Sequence, residues 1–190
     1  MILFIDACTR DNSRTRELAE SVLSCLPYDG NVKRVDLYNI DLAPVDAKTI
    51  ARRDAALNSG DFSDPYYDLA KQFAQADDII IASPYWDFSC PAVLKLYIEN
   101  ISVNGITFCY NENGIPHGLC RANKLYYVTT AGGEIGKNNF GYEYIKAISL
   151  QLYGIKDATC IRAVGLDMVS VDERGVLENA KAQLKDLIYP

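Results

Sequence analysis

The four residues Ile79-Ile80-Ile81-Ala82 constrain this chain more than any others. A β-branched run with no polar residue in alternation fits a strand covered on both faces, as in the middle of a parallel sheet. Ser83-Pro84 ends it, because Pro has no N–H to give to a ladder. Tyr85-Trp86-Asp87-Phe88 then sets three aromatic rings on a loop. Pro91 suits the first turn of a new helix, with Ser89 or Cys90 as its cap. Val93, Leu94, Tyr97, Ile98 and Ile101 follow at helical spacing. Open α/β sheets bind ligands outside the carboxyl ends of their strands, where such an aromatic loop would sit.

The remaining chain repeats the alternation of strand and helix. Residues 2–6 read as a first strand, and the polar stretch 7–15 leads into a helix to about Leu26. Residues 27–31 form a turn, and 32–37 alternate apolar and charged side chains like an outer strand. Helices are predicted over 47–57 and 65–75. After the helix that ends near Ser102, residues 107–110 suggest a short extended piece followed by a turn. A fourth strand covers 124–130, a helix 140–153, a fifth strand 158–164, and a last helix runs from Val171 or Asp172 through Leu187. Five strands alternating with helices specify an α/β fold with a doubly wound parallel sheet and helices on both faces. In the flavodoxin-like order 2-1-3-4-5, strands one, three and four are neighbours, so their carboxyl-end loops converge on one crevice. The 190 residues suffice for a single domain, 1–190.

Those three loops carry complementary chemistry. The first offers Ser13 and Thr15 at a helix start, with Arg10 and Arg14 beside them. Helix N-termini bind phosphate because their first N–H groups are unpaired and the helix dipole favours an anion. The second is the aromatic stretch, and the third is Ala131-Gly132-Gly133, where glycine permits close backbone approach. Together they suit a planar heterocycle that bears a phosphate. No G-x-G-x-x-G is present, so a Rossmann dinucleotide site is not supported.

Composition removes other classes. A net charge of −6 argues against a nucleic-acid surface. Six cysteines without a C-x-x-C, and a single histidine, His117, do not make a usual zinc site, so no metal is expected. The cysteines read as reduced, mostly packed thiols of a cytoplasmic protein. The first residues read as a strand rather than a signal peptide, and no apolar run approaches membrane-spanning length.

The chain resembles the flavodoxin-like NAD(P)H:quinone oxidoreductase and FMN-dependent NADH-azoreductase family over nearly its whole length. The family's S-x-x-x-x-x-S-x-S phosphate loop is matched by residues 8–15, with Ser13 and Thr15 in the hydroxyl positions. Its P-M-Y-N-F loop is matched by Pro84-Tyr85-Trp86-Asp87-Phe88, its G-V-T-F-x-Y-x-x-N-G by residues 105–114, and its T-S-R-G-G by residues 129–133. Cys8 stands where Ser is common, Asp87 replaces an Asn and Ala131 an Arg-like residue. The resemblance implies a homodimer with non-covalent FMN at the subunit interface. It also implies ping-pong hydride transfer from NADH or NADPH to a small-molecule acceptor, a quinone or an azo compound. Cys8, Ser13 and Thr15 would surround the FMN phosphate. Pro84, Tyr85, Trp86, Asp87 and Phe88 would line the ring, and Thr130, Ala131, Gly132 and Gly133 would approach its pyrimidine end. Phe108 and Tyr110 would close the substrate face from the partner subunit.

Two other classes compete. One is a flavodoxin-like electron carrier or flavin-binding module without a nicotinamide cleft. The other is a receiver-like signalling domain, suggested by Asp6 but disfavoured because Ser83-Pro84 stands where an acidic residue would be needed.

Overall fold

A computed structural model describes residues 1–27 and 30–189. The turn expected over 27–31 falls partly on Tyr28 and Asp29, which lie outside the described residues. In chain order the elements are β1 (Ile2–Asp6), α1 (Arg14–Cys25), β2 (Val32–Asp36), α2 (Ala47–Ser59), α3 (Asp68–Gln75), β3 (Asp78–Ala82) and α4 (Ala92–Ile101). They continue with β4 (Phe108–Tyr110), β5 (Pro116–Gly118), β6 (Lys124–Thr130), α5 (Phe140–Ile148), β7 (Asp157–Ala163), α6 (Glu173–Ala182) and α7 (Leu184–Ile188). The main sheet has the order β2-β1-β3-β6-β7, and every pairing in it is parallel. With the hairpin β4-β5 set aside as its own small antiparallel sheet, this is the flavodoxin-like order 2-1-3-4-5.

The strand β3 explains the architecture. Ile79 and Ile81 pack into one core with α3, α4 and α5, while Ile80 and Ala82 pack into the other with α1, α6 and α7. All four are fully buried, so neither face could carry a polar residue at low cost. The outer strand β2 keeps Lys33 and Arg34 exposed, as an edge does.

Four local expectations are corrected. The helix after β3 has Pro91 at its cap and no side-chain cap bond, rather than Ser89 or Cys90. Ser89 is already committed, since its backbone exchanges two hydrogen bonds with Trp86. The helix expected over 65–75 begins as a 3₁₀ turn, Pro65–Tyr67, capped by Asp64, before α3. The helix expected over 140–153 relaxes into a wider π turn, Ser149–Tyr153, which closes at Gly154 with φ 80°. The last helix breaks at Gln183, and both parts bury apolar side chains (Leu177, then Leu184 and Ile188) against the same face of the sheet.

Candidate active site

The loops after β1, β3, β6 and β7 meet at the carboxyl edge of the sheet. They wall a crevice of about 190 Å³ lined by Thr9, Arg10, Asn12 to Thr15, Pro84 to Trp86, Thr130 to Gly132, and Asp167.

The first wall is a concentration of unused amides. From Thr9 to Thr15 no backbone N–H donates to any group among the described residues. Ser13 caps α1 by accepting from the Arg16 N–H at 3.2 Å, so its own hydroxyl hydrogen is available to a ligand. Thr15 and Thr130 share one hydrogen bond at 2.5 Å, which leaves the accepting hydroxyl a hydrogen to give away. The exposed Arg10 guanidinium makes no ion pair among the described residues. Arg14, in contrast, is held by Asp167 at 2.8 Å and by Glu173 at 3.5 Å, and that pairing holds the Asp167 carboxyl below the usual carboxylate range.

Cys8 lies beneath this wall rather than in it. Its Sγ donates to the Ala82 carbonyl at 3.7 Å, and burial pushes its thiol up to about 12. The residue is a packed thiol, not a nucleophile.

The second wall extends β3. Ser83 N–H and Tyr85 N–H donate to the Val128 and Thr130 carbonyls at 2.9 and 3.0 Å. Trp86 and Ser89 then pair antiparallel around a two-residue turn, with Asp87 at φ 49° and Phe88 at φ 65°. Both turn residues are left-handed, a geometry usually given to Asn-Gly, so an aromatic side chain is held here at a conformational cost of roughly 1–3 kcal/mol. Phe140 N–H clamps the turn by donating to the Phe88 carbonyl at 3.0 Å. Trp86 and Phe88 are 42% and 61% exposed; Trp86 lines the crevice, while Asp87 and Phe88 stand at its rim.

The third wall is zipped to the loop after β7. Ala131 N–H donates to Ala163, and Gly165, Leu166 and Asp167 donate to the carbonyls of Gly133, Ala131 and Gly132. This leaves the N–H groups of Gly132 and Gly133 without partners among the described residues, Gly132 in the lining and Gly133 beside it. A Cβ on Gly132 would lie 2.2 Å from Asp167 Oδ2, so glycine lets the Asp167 carboxylate sit directly against this loop.

Phe108 and Tyr110 are not in the crevice of their own chain. They lie on β4, one helix away, and the hairpin's return is tied to the amino edge of the sheet by Arg121 and Asn123 N–H groups on the Ala74 and Asp77 carbonyls. His117 is exposed on β5, paired with Cys109, far from the crevice. Asp167 was not indicated by the sequence: a lone Asp in a loop carries no periodic signal. Gly165-Leu166-Asp167 after a strand is the only hint of it.

The crevice fits a flavin mononucleotide. It has a nest of unpartnered amides and hydroxyls of single-phosphate type, an apolar shelf beside it, and free glycine N–H groups opposite. A family model described as flavodoxin-like fold matches residues 1–188. The chain belongs to this flavodoxin-like family. An FMN-dependent NADH:quinone oxidoreductase of Clostridium beijerinckii is 31% identical, over 97% of this chain and 96% of that protein. A second such enzyme, from Clostridium acetobutylicum, is 42% identical, but the match spans 62% of each chain. Among solved structures, an azoreductase from Bacillus anthracis superposes with a TM-score of 0.83 at 21% identity, covering 97% of this chain and 96% of that one. A Bacillus anthracis FMN-dependent NADH-azoreductase in complex with FMN superposes at 0.78 and 22% identity, covering 97% and 95%. The family's fold and this chain's fold therefore coincide. Among the described residues no group of His, Cys, Asp and Glu could hold a metal ion, and no helix is long and apolar enough to cross a membrane.

Proposed function

We propose that this chain is an FMN-dependent NADH oxidoreductase that delivers electrons to quinone- or azo-type acceptors. The observation that carries the reading is the run of unpartnered amides from Thr9 to Thr15 at the head of α1. When bound, FMN supplies the redox chemistry, taking hydride from the nicotinamide and passing reducing equivalents to the acceptor.

The chain's own residues hold, orient and shield. The amides of residues 9–15, with the Ser13 hydroxyl and the Thr15–Thr130 pair, hold the phosphate. Tyr85 and Trp86 give the ring an apolar shelf, and Tyr85 is fixed by its hydroxyl donating to the Asn138 carbonyl at 3.0 Å. The N–H groups of Gly132 and Gly133 face the pyrimidine end, where fixed dipoles stabilise developing negative charge without reorganising. No side chain in the crevice is needed as an acid or base. The outer face is left open, so donor and acceptor occupy it in turn, a ping-pong arrangement. Flavin released by heat should co-chromatograph with FMN, and the reconstituted protein should oxidise NADH anaerobically beyond one equivalent per flavin only when a quinone or azo dye is supplied. Recovery of FAD would overturn the cofactor assignment. FMN without NADH turnover would favour the electron carrier.

The working unit is a homodimer. A crevice of about 190 Å³ is smaller than the roughly 300–1,000 Å³ of usual ligand pockets, so a ring on the Trp86 shelf needs cover from elsewhere. Phe108 and Tyr110 do not line their own crevice, and of the two the exposed Tyr110 is the one a second copy can offer. Sedimentation should give a dimer at working concentration; a fully active monomer would overturn this reading. The single flavodoxin-like unit is cytoplasmic, consistent with six free thiols.

A further inference from the structure

Arg16 is the third residue of α1, where the helical pattern alone suggests a solvent-facing side chain, yet its side chain reaches back under the first loop. Its Nε donates to Asp6 Oδ2, its Nη1 to the Arg10 and Asp11 carbonyls at 2.8 and 3.1 Å, and its Nη2 to the Cys8 carbonyl at 2.8 Å. Asp6 in turn accepts from Cys8 N–H through Oδ1 at 2.9 Å. The guanidinium fork therefore collects three backbone carbonyls of one short loop while a buried carboxylate anchors it.

This has a geometric consequence. In a planar trans peptide the C=O and the next N–H point in opposite directions. With the carbonyls of Cys8, Arg10 and Asp11 drawn to Arg16, the N–H groups of Thr9, Asp11 and Asn12 must face the other way. Thr9 and Asn12 line the crevice on that other side. We propose that Arg16, anchored by Asp6, is the positioning residue that fixes the anion nest, holding its amides turned toward the ligand and its carbonyls turned away before the ligand arrives. The inference rests on the reading of this crevice as an FMN phosphate site.

The role belongs to the fork rather than the charge. Lysine keeps the charge but offers a compact ammonium that cannot serve three spread carbonyls and a carboxylate at once. The test measures the affinities of FMN and of riboflavin, which lacks the phosphate, for wild type, Arg16→Lys and Asp6→Asn, with thermal unfolding of each apoprotein. Wild type should prefer FMN strongly. Arg16→Lys should weaken FMN on the order of 30-fold, the scale of one or two lost hydrogen bonds to a charged group, and leave riboflavin within about twofold. Asp6→Asn should move the same way by a smaller factor. If Arg16→Lys binds FMN like wild type, or weakens both ligands equally, the positioning role is wrong while the phosphate site stands. If wild type itself does not distinguish FMN from riboflavin, the phosphate reading fails and this inference with it.

Discussion

Gly118→Ala is expected to lower the melting temperature by roughly 6–12 °C. A Cβ at this position would lie 2.1 Å from the Tyr153 carbonyl carbon and 2.2 Å from the Gly154 nitrogen. These are backbone atoms of the π turn, not the tips of flexible side chains, so nothing can swing aside. Retreat of the hairpin is also blocked. Cys120 N–H, two residues on, donates to the Tyr153 carbonyl at 3.3 Å, and Gly118 is in register with the buried Phe108. Overpacking of this kind costs about 3 kcal/mol, at the upper end of the usual range. Circular dichroism melts of both proteins check it, and a shift below about 2 °C would mean that hairpin and turn separate freely. The same contact fixes where β4 projects, so the variant should also weaken the dimer if Phe108 and Tyr110 serve a partner.

Ser13→Asp is expected to weaken FMN binding at least 100-fold while leaving the fold as stable as before. Asp is as good an N-cap as Ser, so α1 keeps its first-turn bond to Arg16 N–H. The carboxylate would stand in the amide nest itself, however. One unit charge at about 4 Å from another costs roughly 4 kcal/mol at an effective dielectric of 20, and a phosphate carries more than one. A flavin-fluorescence titration reads the affinity, riboflavin serves as the uncharged control, and a melt confirms the fold. FMN binding within a few-fold of wild type would place the phosphate elsewhere.

The parts of this molecule that the sequence discloses are those set by local patterns. Ile79 to Ala82 reads as a doubly covered strand, connection rules put helices on both faces of its sheet, and the strand order was that of the flavodoxin-like pattern the loops suited. Ser13 as a cap was legible because capping is a property of neighbouring residues. What stayed hidden depends on residues far apart in the chain. Asp167 reaches the crevice because its N–H donates to the Gly132 carbonyl and its carboxylate meets Arg14. Arg16 matters because it folds back on carbonyls that its own helix does not use. The left-handed turn at Asp87-Phe88 was unreadable for another reason: it lacks the glycine that usually announces one.

The stitching of the loop after β6 to the loop after β7 ties the pocket to an edge strand of the sheet. β7 is an edge, flanked only by β6. Sub-global opening generally proceeds in contiguous units, and edges with few neighbours open first. When β7 and α6 detach, Ala131, Gly132 and Gly133 lose their partners with them. The wall at the pyrimidine end therefore opens with β7 and α6, while the amide nest on α1 opens with the sheet's centre. A ligand spanning both would fasten the carboxyl-terminal segment to the interior, and its departure would first be felt as fraying there.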